Sequence, residues 1–181
     1  MTLPPRRDLH LARKRTSGLL RRTPLVESDS LSALTAAPVF LKLESLQTTG
    51  AFKLRGATNR LLMLSPEERE RGVVTVSTGN HGRALAFAAR RLGMRAVVCL
   101  SQLVPENKRA AIRKLGAELR IVGHSQDEAA REAERLIGEE GLIYVPPFDD
   151  FDIIAGQGTL GLEILEDCPE VEELLIPLSG G

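Results

Sequence analysis

Val73-Val74-Thr75-Val76, an amphipathic run over residues 82–92, Gly93, and Ala96-Val97-Val98-Cys99-Leu100 together decide the fold class. The two outer segments are short, rich in β-branched residues and continuously apolar, which marks strands buried on both faces. The segment between them has helical spacing, and Gly93 can adopt the left-handed backbone that ends a helix. A strand, helix and strand in so short a span pair in parallel, because the helix returns the chain to the end of the sheet where it began. The unit then repeats. Residues 105–115 read as a helix stopped by Gly116, and 118–122 as a strand. Ser125 can N-cap a helix to Ile137, which Gly138 and Gly141 end before a strand over 142–145. Upstream, 39–43 reads as a strand and 54–64 as a helix closed by Pro66. Downstream, 153–165 reads as a helix and Leu174-Leu175-Ile176 as a last strand. The predicted class is α/β, with parallel twisted sheets and flanking helices.

Composition narrows the function. The 181 residues carry 24 basic and 24 acidic side chains, so no net field gathers nucleic acid or an anionic membrane surface. No apolar run approaches the ~20 residues of a membrane span, and no signal-peptide core is expected at the start. Cys99 and Cys168 stand apart with no CxxC spacing, which argues against a disulfide scaffold or a zinc site and for a reducing cytoplasm. Aromatic residues are 3% with no Trp, too few for base-stacking platforms. Residues 1–22 hold seven of the basic side chains (Arg6, Arg7, Arg13, Lys14, Arg15, Arg21, Arg22) against Asp8. A transit peptide, a nucleic-acid arm and a solvated helix compete for that segment. Leu9, Leu11, Leu19 and Leu20 favour the helix, stopped by Thr23-Pro24.

Three constellations could carry chemistry. Gly156-Gln157-Gly158-Thr159-Leu160-Gly161 matches G-x-G-x-x-G, but no good strand precedes it and no suitably spaced acid follows. Its better reading is a helix whose small residues permit close packing. Ser77-Thr78-Gly79-Asn80-His81-Gly82 follows a strand and opens a helix, so its N–H groups make an anion site fit for a carboxylate or phosphate. The same residues are also plain turn and cap chemistry, and His81 reads as a packing or orienting residue rather than a base. Thr48-Thr49-Gly50-Ala51-Phe52-Lys53-Leu54-Arg55-Gly56-Ala57 holds one of only five lysines, against 19 arginines. A lysine kept where arginine is otherwise preferred can be needed as an amine, although an ordinary surface lysine fits as well.

In this order, with Ala155-Gly156-Gln157-Gly158-Thr159 and Ser179-Gly180-Gly181, the motifs resemble the threonine/serine dehydratases. These are pyridoxal-phosphate enzymes of the tryptophan-synthase-β type (fold type II), and the resemblance runs from Arg22-Thr23-Pro24-Leu25 to the terminal glycines. Thr-Gly-Ala-Phe-Lys and Pro-Leu-Ser-Gly-Gly look closest to the branch called hydroxyectoine utilisation dehydratase. The resemblance implies that Lys53, next to Phe52, carries pyridoxal 5'-phosphate as a Schiff base and then removes the substrate α-proton. Ser77, Thr78, Gly79, Asn80 and His81 would bind the substrate carboxylate, with Asn80 also at the cofactor's 3-hydroxyl. Ser179, Gly180 and Gly181 would begin the cofactor's phosphate nest. The product would be a 2-oxo acid and ammonia from a hydroxy amino acid. The implied division is a large cofactor domain from 1–56 and 151–181, incomplete here, and a small inserted domain over 57–150. Relatives are commonly dimers or tetramers, so a homo-oligomer is expected, with neither nucleic acid nor membrane as partner. Ala51 replaces the Ser of many relatives, a change between small residues. The chain reads as cut at Gly181: the rest of the glycine loop, later strands and the Ser or Cys that meets the pyridine nitrogen have no counterpart. Competing readings are a non-catalytic fragment, and a racemase or β-replacement enzyme on the same fold.

Overall fold

The computed structural model describes residues 3–177. In chain order the elements are α1 (Arg6–Thr16), β1 (Leu25–Glu27), α2 (Asp29–Thr35), β2 (Phe40–Lys42), a 3-10 turn (Glu44–Leu46), α3 (Lys53–Met63) and α4 (Pro66–Arg71). There follow β3 (Val73–Val76), α5 (Asn80–Arg91), β4 (Ala96–Leu100), α6 (Glu106–Lys114), β5 (Glu118–Ile121), α7 (Gln126–Glu140), β6 (Ile143–Tyr144) and α8 (Phe151–Asp167).

Strands β3 to β6 form one parallel sheet in the order β5-β4-β3-β6. The chain steps outward from β3 to β4 to β5, then returns across the sheet to pair β6 with the other side of β3. Right-handed crossovers in opposite directions must put their helices on opposite faces. Accordingly α5 and α6 pack with Val73, Val98 and Leu100 on one face, where α3 joins them through Leu54, Ala57 and Leu61. Helix α7 covers Val74, Val76, Val97 and Cys99 on the other through Ala129, Ala133 and Leu136. With both faces covered, β3 and β4 are buried at every position, which is why they read as unbroken apolar runs. Edge strand β5 alternates and carries Glu118 and Arg120 outward. The Ser125 cap holds as expected: its Oγ accepts from the Glu128 N–H at 3.1 Å while Glu128 accepts from the Ser125 N–H at 3.0 Å.

Three helices outside this sheet, α1, α3 and α8, pack on one another. The crossing of α3 and α8 is a glycine contact. A Cβ on Gly156 would lie 2.6 Å from the Gly56 Cα and 2.7 Å from the Arg55 carbonyl oxygen. The glycines at 156, 158 and 161 therefore lie inside a helix; Gly156 and Gly158 serve close packing, whereas a Cβ on Gly161 would meet none of the described residues within 4 Å. Because the clash is with backbone, Gly156→Ala is expected to lower the unfolding free energy by about 1–3 kcal/mol, read as a lower denaturant midpoint at unchanged slope.

The structure departs from the sequence reading at several places. Residues 171–177 form no strand; Leu175 is 89% exposed, with Leu174 and Ile176 beside it in the open. A strand exists only as part of a ladder, and none of the described residues pairs with these. Helix α1 ends at Thr16, and Gly18 at φ +79° turns the chain before Pro24 is reached. The antiparallel pair β1–β2 and helices α2 and α4 were not foreseen; neither helix buries a residue, so no apolar periodicity announces them. Among the described residues no helix is long and apolar enough to cross a membrane.

Candidate functional site

Parallel strands that reverse their order leave a crevice at their carboxyl ends, and here it opens between β3 and β6. The turn 77–79 leaves β3 there, and Val145-Pro146-Pro147 leaves β6 beside it. Lys53, the first residue of α3, reaches this place. It is 8% exposed, and its Nζ donates to the Pro147 carbonyl at 2.6 Å. The amine also lies 5.3 Å from the centroid of the Phe52 ring and 6.0 Å from that of Phe148. Burial lowers its pKa from the ordinary lysine value, because the ammonium form loses water.

The turn after β3 is organised by Ser77. Its Oγ accepts from the Gly82 N–H at 3.0 Å and, more weakly, from the Gly79 N–H at 3.4 Å. Ser77 thus folds the turn on itself, a use that the carboxylate-binding expectation did not include. Gly82 must be small, because a Cβ would lie 2.9 Å from the Ser77 carbonyl oxygen. Thr78 and Gly79 are half-buried, and a Cβ on Gly79 would meet only open space. Asn80 is exposed at the first position of α5. The N–H groups of Asn80 and His81 are at the start of α5, where the helix supplies no acceptor, and no hydrogen bond ties them to another of the described residues, an arrangement suited to an anion.

His81 is 3% exposed, and its Nε2–H donates to the Val145 carbonyl at 3.1 Å. Burial, with Lys53 nearby as a lesser cause, depresses its pKa from 6.5 to about 4. The imidazole is therefore neutral near pH 7. Because the folded pKa is depressed, the stability linked to it is complete above pH 6.5 and is lost as the pH falls toward 4. Arg83, two residues on, donates from Nη2 to the Thr49 carbonyl at 2.7 Å and ties the lysine loop to α5. Gly50 in that loop sits at φ +77°, a conformation that suits glycine.

Behind Lys53 lies a charge cluster that the sequence reading missed. Arg55 is 1% exposed; it donates to Glu44 at 2.8 and 2.9 Å and to Glu163 at 2.7 and 2.9 Å. Lys42 pairs with Glu163 at 2.9 Å and Asp167 at 3.2 Å. Burial alone would raise the Glu163 pKa, but hydrogen bonds from Arg55 and Lys42 outweigh it and hold the group below the usual carboxylate range. The cluster clamps β2, the 3-10 turn, α3 and α8 together and so sets the start of α3. Arg55 stands out as half of a buried pair only once the structure shows that positions 53–59 of α3 are all buried. Its partners, far away in sequence, were not readable.

Of the residues singled out from sequence, the structure brings Lys53, Phe52 and His81 to one crevice, with Ser77, Thr78, Gly79 and Asn80 in the turn on its β3 side. Ser179, Gly180 and Gly181 lie outside the described residues. The family described as pyridoxal-phosphate dependent enzymes matches residues 16–181. The chain belongs to that family. It is 61% identical over 174 residues to a provisionally named threonine dehydratase of Sinorhizobium fredii, covering 96% of this chain and 52% of that protein. It is 43% identical over 174 residues to an L-threonine ammonia-lyase of Thermotoga maritima, covering 96% and 43%. A maize serine racemase structure superposes with a TM-score of 0.91 at 32% identity, over 93% of this chain and 51% of that one. The chain spans about half the length of the curated relatives it matches.

Proposed function

We propose that the chain carries the lysine-bearing part of a pyridoxal-phosphate-dependent lyase. Such an enzyme removes the hydroxyl and the amino group of a hydroxy amino acid and leaves a 2-oxo acid and ammonia. The observation that carries this reading is the buried Lys53 amine, with lowered pKa, in the crevice bordered by the first amides of α5. The residues suit that cofactor. A buried amine can attach to its aldehyde, and helix-start amides without a partner among the described residues suit a carboxylate or phosphate. Thr49 Oγ1 and His81 Nδ1 are buried without a hydrogen-bond partner among the described residues.

When bound, pyridoxal phosphate supplies the electron sink for charge left at the substrate Cα. Lys53 Nζ, whose burial favours the neutral amine over the ammonium, would accept the α-proton. The turn 77–81 would orient the substrate carboxylate through its N–H groups, and Asn80 offers an amide that donates and accepts. Neutral His81 adds no second cation beside Lys53. Loss of the β-hydroxyl and addition of water at Cα then balance the release of ammonia. The division into a small domain over 57–150 and a large one from 1–56 and 151–181 belongs to this reading; the four-strand sheet lies wholly between Val73 and Tyr144. A homo-oligomer of the full-length form is part of the same proposal.

The substrate is sought by supplying threonine, serine and hydroxyectoine breakdown intermediates with pyridoxal phosphate and measuring ammonia and 2-oxo acid. The motif variants Thr49-Gly50-Ala51-Phe52-Lys53 and Pro177-Leu178-Ser179-Gly180-Gly181 place the third group among the candidates. Likeness to the serine racemase supports a second reading, separated by chiral analysis: D-serine from L-serine without ammonia would replace the lyase with a racemase.

A further inference from the structure

We infer that His81 is a positioning residue for Lys53, acting through the segment 145–147 on which both side chains rest. This rests on the reading of Lys53 as the reacting amine and adds a residue to it. His81 Nε2 bonds the Val145 carbonyl at 3.1 Å, and Lys53 Nζ bonds the Pro147 carbonyl at 2.6 Å. The two acceptors are two residues apart on one stiff piece of chain, since Pro146 and Pro147 both have φ fixed by their rings.

The sheet itself cannot hold this segment. Its last ladder bond runs from the Val145 N–H to the Val74 carbonyl at 2.9 Å. Pro146 and Pro147 have no N–H with which to extend the ladder along β3. Past Val145, side chains must do the holding, and His81 grips the carbonyl at the point where the ladder stops. A carbonyl only accepts, so the bond selects the tautomer with hydrogen on Nε2. Nδ1 keeps its lone pair, buried and without a partner among the described residues. A neutral Lys53 amine still has an N–H to place on the Pro147 oxygen, which turns its lone pair away from that carbonyl. Moving the segment would therefore mis-aim the lone pair without removing the amine.

Two measurements on the 181-residue chain test this. Nitrogen-15 NMR of the histidine rings should show His81 as the Nε2–H tautomer; the Nδ1–H tautomer would overturn the inference with no variant made. The second is the rate at which pyridoxal phosphate and borohydride modify Lys53, located by peptide mass spectrometry. It is compared at the high-pH plateau, where the amine is neutral in every variant. His81→Leu, checked for native circular dichroism, should slow Lys53 modification about tenfold, roughly the worth of one hydrogen bond. His81→Gln, whose amide can donate to the Val145 carbonyl, should return to within about threefold of wild type. Equal rates in wild type and His81→Leu, or no recovery in His81→Gln, overturn the inference. Should His81→Leu not fold, the tautomer and the His81→Gln rate decide it. Wild-type protein that is modified at other lysines but not at Lys53 overturns the functional reading too, whereas modification indifferent to residue 81 sinks this inference alone.

Discussion

Lys53→Ala is expected to remove the visible absorbance band that pyridoxal phosphate gives when held covalently, and to lower ammonia release by about 10³-fold or more. The reason is that, on the proposed function, one amine would both attach the cofactor and exchange the α-proton, and alanine offers neither function. Lys53→Arg is the sharper control. It keeps a cation near the Pro147 carbonyl and the rings of Phe52 and Phe148, yet a guanidinium neither deprotonates nor attaches to an aldehyde. Both variants should lose the band, and Lys53→Arg should keep more of the fold. A band of wild-type intensity in either variant would move the attachment to another lysine and end the proposal.

Arg55→Ala is expected to cost about 3–5 kcal/mol of stability, the price of leaving buried carboxylates without their cation. Glu44 and Glu163 both lose their bonds to the guanidinium, and Glu163 is left with Lys42. For a chain of this size that is a melting temperature lower by roughly 6–20 °C. The pH dependence has a definite sign. In the wild type the Glu163 pKa is depressed, so its contribution is present above the ordinary glutamate pKa and is lost as the pH falls through the depressed value. In the variant, Glu163 stays buried but loses the Arg55 bonds that lowered its pKa, so it takes up a proton more readily. The deficit against wild type should therefore be largest near pH 7 and shrink as the pH falls toward about 4. Thermal melts across this range would show it; a constant deficit would mean that lost packing, not stranded charge, is responsible.

The fold class was legible because burial on both faces leaves no alternation in Val73–Val76 and Ala96–Leu100, and because Gly93, Gly116 and Gly141 mark helix ends at positive φ. The close-packing reading of Gly156 was legible because no strand precedes it. The strand read at Leu174 to Ile176 was not found, since apolar character proposes a strand but only a neighbouring ladder makes one. His81 reads from the sequence as a packing or orienting residue rather than a base, and the structure buries it, which suppresses its charged form.

Other features had no local trace. Arg55 meets Glu163 across 108 positions of chain, and Lys53 meets Pro147 across 94. No periodicity or spacing encodes such pairs. Local composition determined the βαβ pattern, the helix stops and the residue types able to do chemistry, because these depend on a few neighbouring side chains and on backbone freedom. The reversal of strand order, which opens the crevice between β3 and β6, belongs to the tertiary structure alone. So does the burial that shifts Lys53 and His81, for desolvation and charge pairing depend on which distant segments exclude water from the same place.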